Sequence, residues 1–180
     1  MAVRPDIGLI LAGGRSRRMG EDKARLVLAE GMLLAWQVAR LTPYCHRLVV
    51  SGDYPEFDSL PDVVAGLGPL GGLQAAALRF PDASLWALPV DMPAFEGAHM
   101  KVLTQEATGA HYREHPLPAF FADTTAVAAA IAAMLALPEP DRSIRELHRR
   151  LGTVVLPAPD AAALRNLNTP DEWAAFRAEG

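Results

Sequence analysis

Between Leu11 and Lys23 the chain reads LAGGRSRRMGEDK, directly after the apolar run IGLIL. Ala12, Gly13 and Gly14 let the backbone turn sharply and bring bare N–H groups close to a ligand, and Arg15, Arg17, Arg18 and Lys23 add positive charge. Together they suit a polyphosphate. Two common phosphate loops do not fit: no GK[ST] follows the glycines, and GGRSRRMG does not match GxGxxG. The plain alternative is a glycine turn with solvated arginines. Lysine usage weighs against it, because of seventeen lysines and arginines only Lys23 and Lys101 are lysines, and Lys23 falls in this segment. A compact ammonium suits a nonbridging phosphate oxygen where a planar guanidinium fits poorly.

Two further clusters could complete such a site. In LPVDMPAF, Asp91 follows a strand-like core and Pro93 keeps the chain from continuing into a regular helix. A carboxylate at the carboxyl end of a central strand is well placed to hold Mg²⁺ carrying a nucleotide's phosphates, although a simple Asx-turn reads the same way. In GLGPLGGLQAA, Gly66, Gly68, Gly71 and Gly72 surround Pro69 and run into a helix, which permits close approach of backbone to a base or sugar, or close helix–sheet packing. Other chemistries find little support. The histidines, at 46, 99, 111, 115 and 148, form no HExxH pair, so solvent-facing or satisfied structural roles are expected for most of them. No GxSxG elbow is present, and the single cysteine, Cys45, excludes an internal disulfide or a multi-thiolate zinc site.

The elements that must position these residues follow from periodicity. IGLIL, RLVVSG and SLWALPVDM are short apolar runs that end in Gly, Asp or Pro, as buried parallel strands do. Met32 to Leu41 and Leu70 to Phe80 have apolar residues at helical spacing and stop at Pro43 and Pro81. The β-α-β-α-β alternation predicts a three-layer α/β/α, Rossmann-like fold with a mostly parallel open sheet, right-handed crossovers and ligands beyond the carboxyl ends of the strands. The second half reads as a helix from Gly97 to Thr108, an extended HPLPAFF and an alanine-rich helix from Thr124 to Leu137. An arginine-rich helix from Ser143 to Arg150 and a strand TVVLP follow, and Thr169 caps a last helix starting at Pro170. With 180 residues, ordinary charge content and a net charge of −4, one domain is expected, with no nucleic-acid partner. The start MAVRPD lacks an apolar signal core and no run is long enough to span a bilayer, so a cytoplasmic protein without membrane contact is expected.

LAGGRSRRMGEDK closely resembles the signature LAGGxSxRMGxDK of small nucleotidyltransferases, and in particular that of the molybdenum cofactor guanylyltransferases of the MobA type. GPLGGL before a helix, DMP after a strand and NLNTPDEW, similar to that family's NxNTPxD element, follow in family order, so the resemblance runs from about Ile7 to Trp173. It implies the nucleotide-diphospho-sugar transferase-like fold, with a nucleotide-binding half over 1–95 and a pterin half over 96–180. It also implies transfer of GMP from GTP to the terminal phosphate of molybdopterin, with release of pyrophosphate and Mg²⁺ as cofactor. Carried over by residue, Leu11, Ala12, Gly13, Gly14 and Gly68 line the nucleotide, and Arg18 and Lys23 hold phosphates. Asp91 binds Mg²⁺ and shares catalysis with Lys23 and Arg18, Asp53 takes a polar nucleotide-binding position after the second strand, and Asn166 and Asn168 face the pterin.

The chain departs from the family where an acidic residue before GPL reads guanine: Val64, Ala65 and Gly66 offer no carboxylate, and Asp62 is the nearest candidate. Gly13 favours GTP, since the related cytidylyltransferases of the same cofactor read LAAG there. A CTP-dependent molybdopterin cytidylyltransferase, or another small nucleotidyltransferase acting on a sugar or alcohol phosphate, is the alternative, and a nucleotide-binding module without turnover is a third. Cofactor carriers or molybdoenzyme chaperones are partners on family grounds.

Overall fold

The structure, a computed structural model, describes residues 4–12, 22–28, 31–160 and 162–179. In chain order its elements are β1 (Ile7–Leu11), β2 (Val27–Leu28), β3 (Gly31–Met32), α1 (Leu33–Leu41), β4 (Arg47–Ser51), β5 (Ser59–Leu60), α2 (Pro69–Arg79) and β6 (Leu85–Pro89). There follow α3 (Gly97–Leu103), β7 (Ala110–Tyr112), β8 (His115–Phe121), α4 (Thr124–Leu135), α5 (Ile144–Leu151), β9 (Val154–Leu156) and α6 (Pro170–Glu179). Among the described residues a seven-stranded sheet runs in the order β5-β4-β1-β6-β8-β7-β9, and β2 pairs with β3 apart from it. The strands from β5 to β6 are mutually parallel, β8 is antiparallel to both β6 and β7, and β9 is parallel to β7. The mostly parallel open α/β sheet expected from the alternation is therefore present.

Side-chain alternation along the central strands divides the core into two layers. Ile10 of β1 with Trp86 and Leu88 of β6 packs toward α1 and α3, whereas Leu9 and Leu11 with Leu85 and Ala87 pack toward α2, α4 and α5. Both faces are covered, so every residue of β1 is buried and the strand reads as a continuous apolar run. Each fully buried Leu or Ile of this kind contributes roughly 1.5–3 kcal/mol.

The helices have local causes. α1 turns Leu33, Leu34, Gln37 and Leu41 inward and stops before Pro43. α2 starts after Gly68, whose φ of +59° favours glycine, and has Pro69 in its first turn, where a missing N–H costs nothing. A side chain at Gly72 would put its Cβ 2.5 Å from Ser51 Oγ, so this glycine lets α2 lie close on the sheet. Asp123 and Ser143 cap α4 and α5 by accepting from Thr125 N and Glu146 N, and Gly152 ends α5 in the left-handed region.

One expectation changes. The helix read over Gly97 to Thr108 ends at Leu103, because the backbone turns at Thr104 and reverses at Gly109, φ +92°. The chain then enters β7, three residues with no apolar period, held by pairing with β8 and β9. The extended HPLPAFF is strand β8, and its prolines, 116 and 118, precede the segment 119–121 that pairs with β6. A residue without an N–H is thereby kept out of that ladder.

Candidate active site

β1 and β6 are parallel neighbours and end at the same edge, where Val90 N donates to Leu11 O at 3.1 Å. A cavity of about 380 Å³ opens there. Leu11, Ala12, Gly68 and Pro69 form one side, His115, Pro116 and Leu117 from β8 form another, and Lys23, Asn166 and the run from Pro89 to Met92 complete the lining. It lies at the carboxyl ends of the parallel strands, as open α/β sheets dictate.

Lys23 and Asp91 meet in this cavity although 68 residues separate them in sequence. The Lys23 ammonium donates to Asp91 Oδ2 at 3.3 Å, to Leu167 O at 3.1 Å and to Asn168 Oδ1 at 3.0 Å. Three protons thus have three acceptors. The other oxygen of Asp91 accepts from Asn166 Nδ2 at 3.4 Å, and its backbone carbonyl accepts from Leu167 N at 2.9 Å. The segment Asn166–Asn168 is therefore fastened to Asp91 by backbone and side chain.

That segment is held from behind by the start of α6. Glu172 Oε2 accepts from Asn168 N at 2.7 Å and Thr169 N at 2.9 Å, while Glu172 N donates to Thr169 Oγ1 at 3.2 Å. This is a reciprocal capping box, and the two backbone donors hold the Glu172 carboxyl below its ordinary pKa. The run NTPDE thus specifies a helix start whose first residues carry Asn168 to Lys23.

The loop after β6 is held by α1. Gln37 Nε2 donates to Met92 O at 3.3 Å, and Arg40 Nη2 lies 2.7 Å from both Pro93 O and Phe95 O. Arg40 also lies 4.2 Å over the Trp36 ring, and its burial pulls its pKa down. On the other side of Lys23, the Tyr54 hydroxyl donates to the Asp22 carboxylate at 3.0 Å and reaches Ala12 O at 3.3 Å. Burial, with Asp22 beside it, raises the Tyr54 pKa and keeps the hydroxyl a donor. These positioning residues were not singled out by sequence; the available signal was Gln37, a polar residue on the apolar stripe of α1.

The structure brings together Leu11, Ala12, Lys23, Gly68, Asp91 and Asn166 in the lining, with Asn168 on Lys23. Asp62 reaches solvent, but its carboxylate lies against the first turn of α2, where a Cβ added at Gly71 would be 2.8 Å from it; partial burial there raises its pKa. Asp53 is exposed after β4 and does not line the cavity. Gly13, Gly14, Arg15, Arg17 and Arg18 lie outside the described residues. The histidines divide: His99 forms a capping box with Glu96 on α3, His148 is buried, and His115 lines the cavity.

Among the described residues no three His, Cys, Asp or Glu side chains come together as a metal site. Asp91, a single carboxylate beside an open cavity, has the chemistry that suits Mg²⁺, which keeps several waters and takes its other oxygens from substrate phosphates. Burial pushes the Cys45 thiol up to about 11, which leaves it unreactive at neutral pH. No described helix is long and apolar enough to cross a membrane.

Residues 8–154 match the family model of the MobA-like NTP transferase domain. A molybdenum cofactor guanylyltransferase of Xanthomonas euvesicatoria is 36% identical, with 94% of this chain and 93% of that protein covered. One from Cereibacter sphaeroides is 38% identical, with 93% of each covered. Among solved structures, molybdopterin-guanine dinucleotide biosynthesis protein A from Archaeoglobus fulgidus superposes with a TM-score of 0.78 at 21% identity, over 96% of this chain and 97% of that one. The 2-C-methyl-D-erythritol 4-phosphate cytidylyltransferase of Thermus thermophilus does so with a TM-score of 0.70 at 15% identity, over 98% of each. The structural likenesses establish the nucleotide-diphospho-sugar transferase fold.

Proposed function

We infer the reaction from one premise: the chain belongs to the MobA-like NTP transferase family. It is a nucleotidyltransferase that transfers GMP from GTP to molybdopterin, in keeping with the guanylyltransferases it matches over nearly their full length. The observation that carries this reading is the meeting of Lys23 and Asp91 in a cavity bounded by the end of β1, the start of α2 and the β8 edge.

In the proposed geometry the nucleotide lies against Leu11, Ala12 and Gly68, and the acceptor lies across the cavity toward His115 and Asn166. A terminal phosphate oxygen of molybdopterin attacks the α-phosphorus of GTP in line. A new phosphoanhydride bond forms, the α–β bond breaks, and pyrophosphate leaves. A phosphate monoester is mostly ionised at neutral pH, so no general base is needed. Lys23 supplies a fixed positive charge where two anions must approach, and Asn166, Asn168 and the capping box of α6 hold that charge in place. To meet a phosphate, Lys23 exchanges one of its three protein acceptors for a phosphate oxygen. Asp91 would hold Mg²⁺, which when bound neutralises phosphate charge and orients the leaving group. Arg18 is assigned to the phosphates by its motif position. Asp62, whose carboxylate lies against Gly71 in the first turn of α2, is assigned to the guanine ring by its place before GPL.

The experiment is pyrophosphate release by the purified protein with Mg²⁺, molybdopterin and each of the four nucleoside triphosphates in turn. Turnover with GTP alone is expected. Comparable turnover with CTP would replace guanylyl by cytidylyl transfer, and tight GTP binding without product would leave a binding module.

A further inference from the structure

The antiparallel strand β8 is fastened unevenly. Its last residues pair with both neighbours, Ala119 with His111 and Ala87, and Phe120 with Ala110 and Trp86. Between His115 and Ala119 the register with β7 shifts, and pairing with β6 has not begun. Pro116 and Pro118 have no N–H to give to either neighbour. This loosely laddered stretch, His115 to Leu117, is the one that lines the cavity.

Behind it lies a buried side-chain chain that the reaction does not use. His148 of α5 is 4% exposed, and its Nε2 lies 2.8 Å from Pro116 O. A carbonyl only accepts, so Nε2 bears the proton and Nδ1 is the acceptor of the neutral ring. Nδ1 lies 2.9 Å from Thr153 Oγ1, which donates to it, and the same hydroxyl oxygen accepts from His111 Nδ1 at 3.2 Å. The bonds thus run in one direction, from His111 through Thr153 and His148 to Pro116. The His148 ring also stacks on His111 at 3.9 Å and on Phe121 at 5.3 Å. The charged and titratable neighbours are His111 of β7 and Arg145 of α5; both disfavour an imidazolium, and burial, the largest influence, brings the His148 pKa to about 4.

We propose that His148 is a positioning residue for acceptor binding: its bond to Pro116 O replaces the missing ladder and holds the His115–Leu117 wall of the cavity in place. The inference rests on the assignment of that wall to the acceptor side. Removing the bond should weaken acceptor binding and leave the nucleotide side, across the cavity, untouched.

His148→Phe keeps a stacked ring and removes both polar atoms; Thr153→Val keeps shape and removes the hydroxyl. In His148→Phe the KM for molybdopterin should rise about tenfold, the effect of one lost buried hydrogen bond, with kcat and the KM for GTP within about twofold of wild type. Thr153→Val should move the same constant less, and His148→Gln, which restores a donor, should recover part of it. If His148→Phe does not fold, Thr153→Val and His148→Gln decide. In the same proteins, amide hydrogen exchange over the peptide 112–121 should quicken about tenfold, a readout independent of the reaction. An unchanged molybdopterin KM, or equal rises for both substrates, would overturn the inference while leaving the guanylyl-transfer reading intact. Failure of wild type to transfer GMP would sink that reading instead, and unaltered exchange would overturn the positioning role by itself.

Discussion

Replacing Lys23 with Met keeps most of the aliphatic stem and removes the ammonium that touches Asp91, Leu167 O and Asn168 together. The side chains of Lys23 and Asp91 are 13% and 19% exposed, so the pair lies between a surface ion pair, worth up to about 1 kcal/mol, and a fully buried one, whose breaking costs about 3–5. A loss of about 2 kcal/mol follows, which for a chain of this size lowers Tm by roughly 4–8 °C. The effect on chemistry should be larger. Removing a preorganised donor aimed at developing charge typically slows turnover about a hundred- to a thousandfold. Lys23→Arg should recover part of the stability but under about a tenth of the activity, because a planar fork cannot bring three donors to one point. Pyrophosphate release under saturating substrates, read beside a thermal melt, separates the two effects. A Lys23→Met protein with kcat/KM within about threefold of wild type would refute the role given to this residue.

Other perturbations test the supports. Arg40→Met should leave the Pro93 and Phe95 carbonyls without their donor, lower stability by about 1–3 kcal/mol in urea unfolding and reduce kcat through a loosened Asp91 loop. Tyr54→Phe should cost about 1 kcal/mol and raise the KM for GTP, since it frees Ala12 and Asp22 from each other; an unchanged KM would remove Tyr54 from the nucleotide side. Acid should act through His148, whose pKa falls from 6.5 to about 4 on folding. Above pH 6.5 both states are neutral and it adds no pH dependence. Between about 6.5 and 4 only the unfolded chain takes up the proton, so stability declines with falling pH by up to roughly 3 kcal/mol. Urea unfolding across that range should show the decline in wild type and a flatter one in His148→Phe.

What could be read from the sequence was what local rules specify. β1 and β6 are continuous apolar runs because both faces are covered, and the Thr169–Glu172 capping box is written in four adjacent residues. Strand-end logic and the family motifs placed Lys23 and Asp91 at one site, although nothing in their spacing fixes their 3.3 Å contact. β7 escaped because three residues have no period, and the end of α3 was overrun because Gly109, not a proline, marks the reversal. Arg40, Tyr54 and His148 escaped for a different reason. Each acts through at least one bond to a residue 32 or more positions away, and a lone polar side chain does not announce its acceptor. His115 looked like one of several scattered histidines until β8 brought it to the cavity.

The central claim is that this cavity moves the α-phosphorus of GTP onto molybdopterin. GTP labelled at that atom, incubated with the protein, Mg²⁺ and molybdopterin, tests it most directly. The expected result is label in a molybdopterin guanine dinucleotide, in step with the pyrophosphate released. Label that stays in GTP, or that emerges only as free GMP, would contradict it.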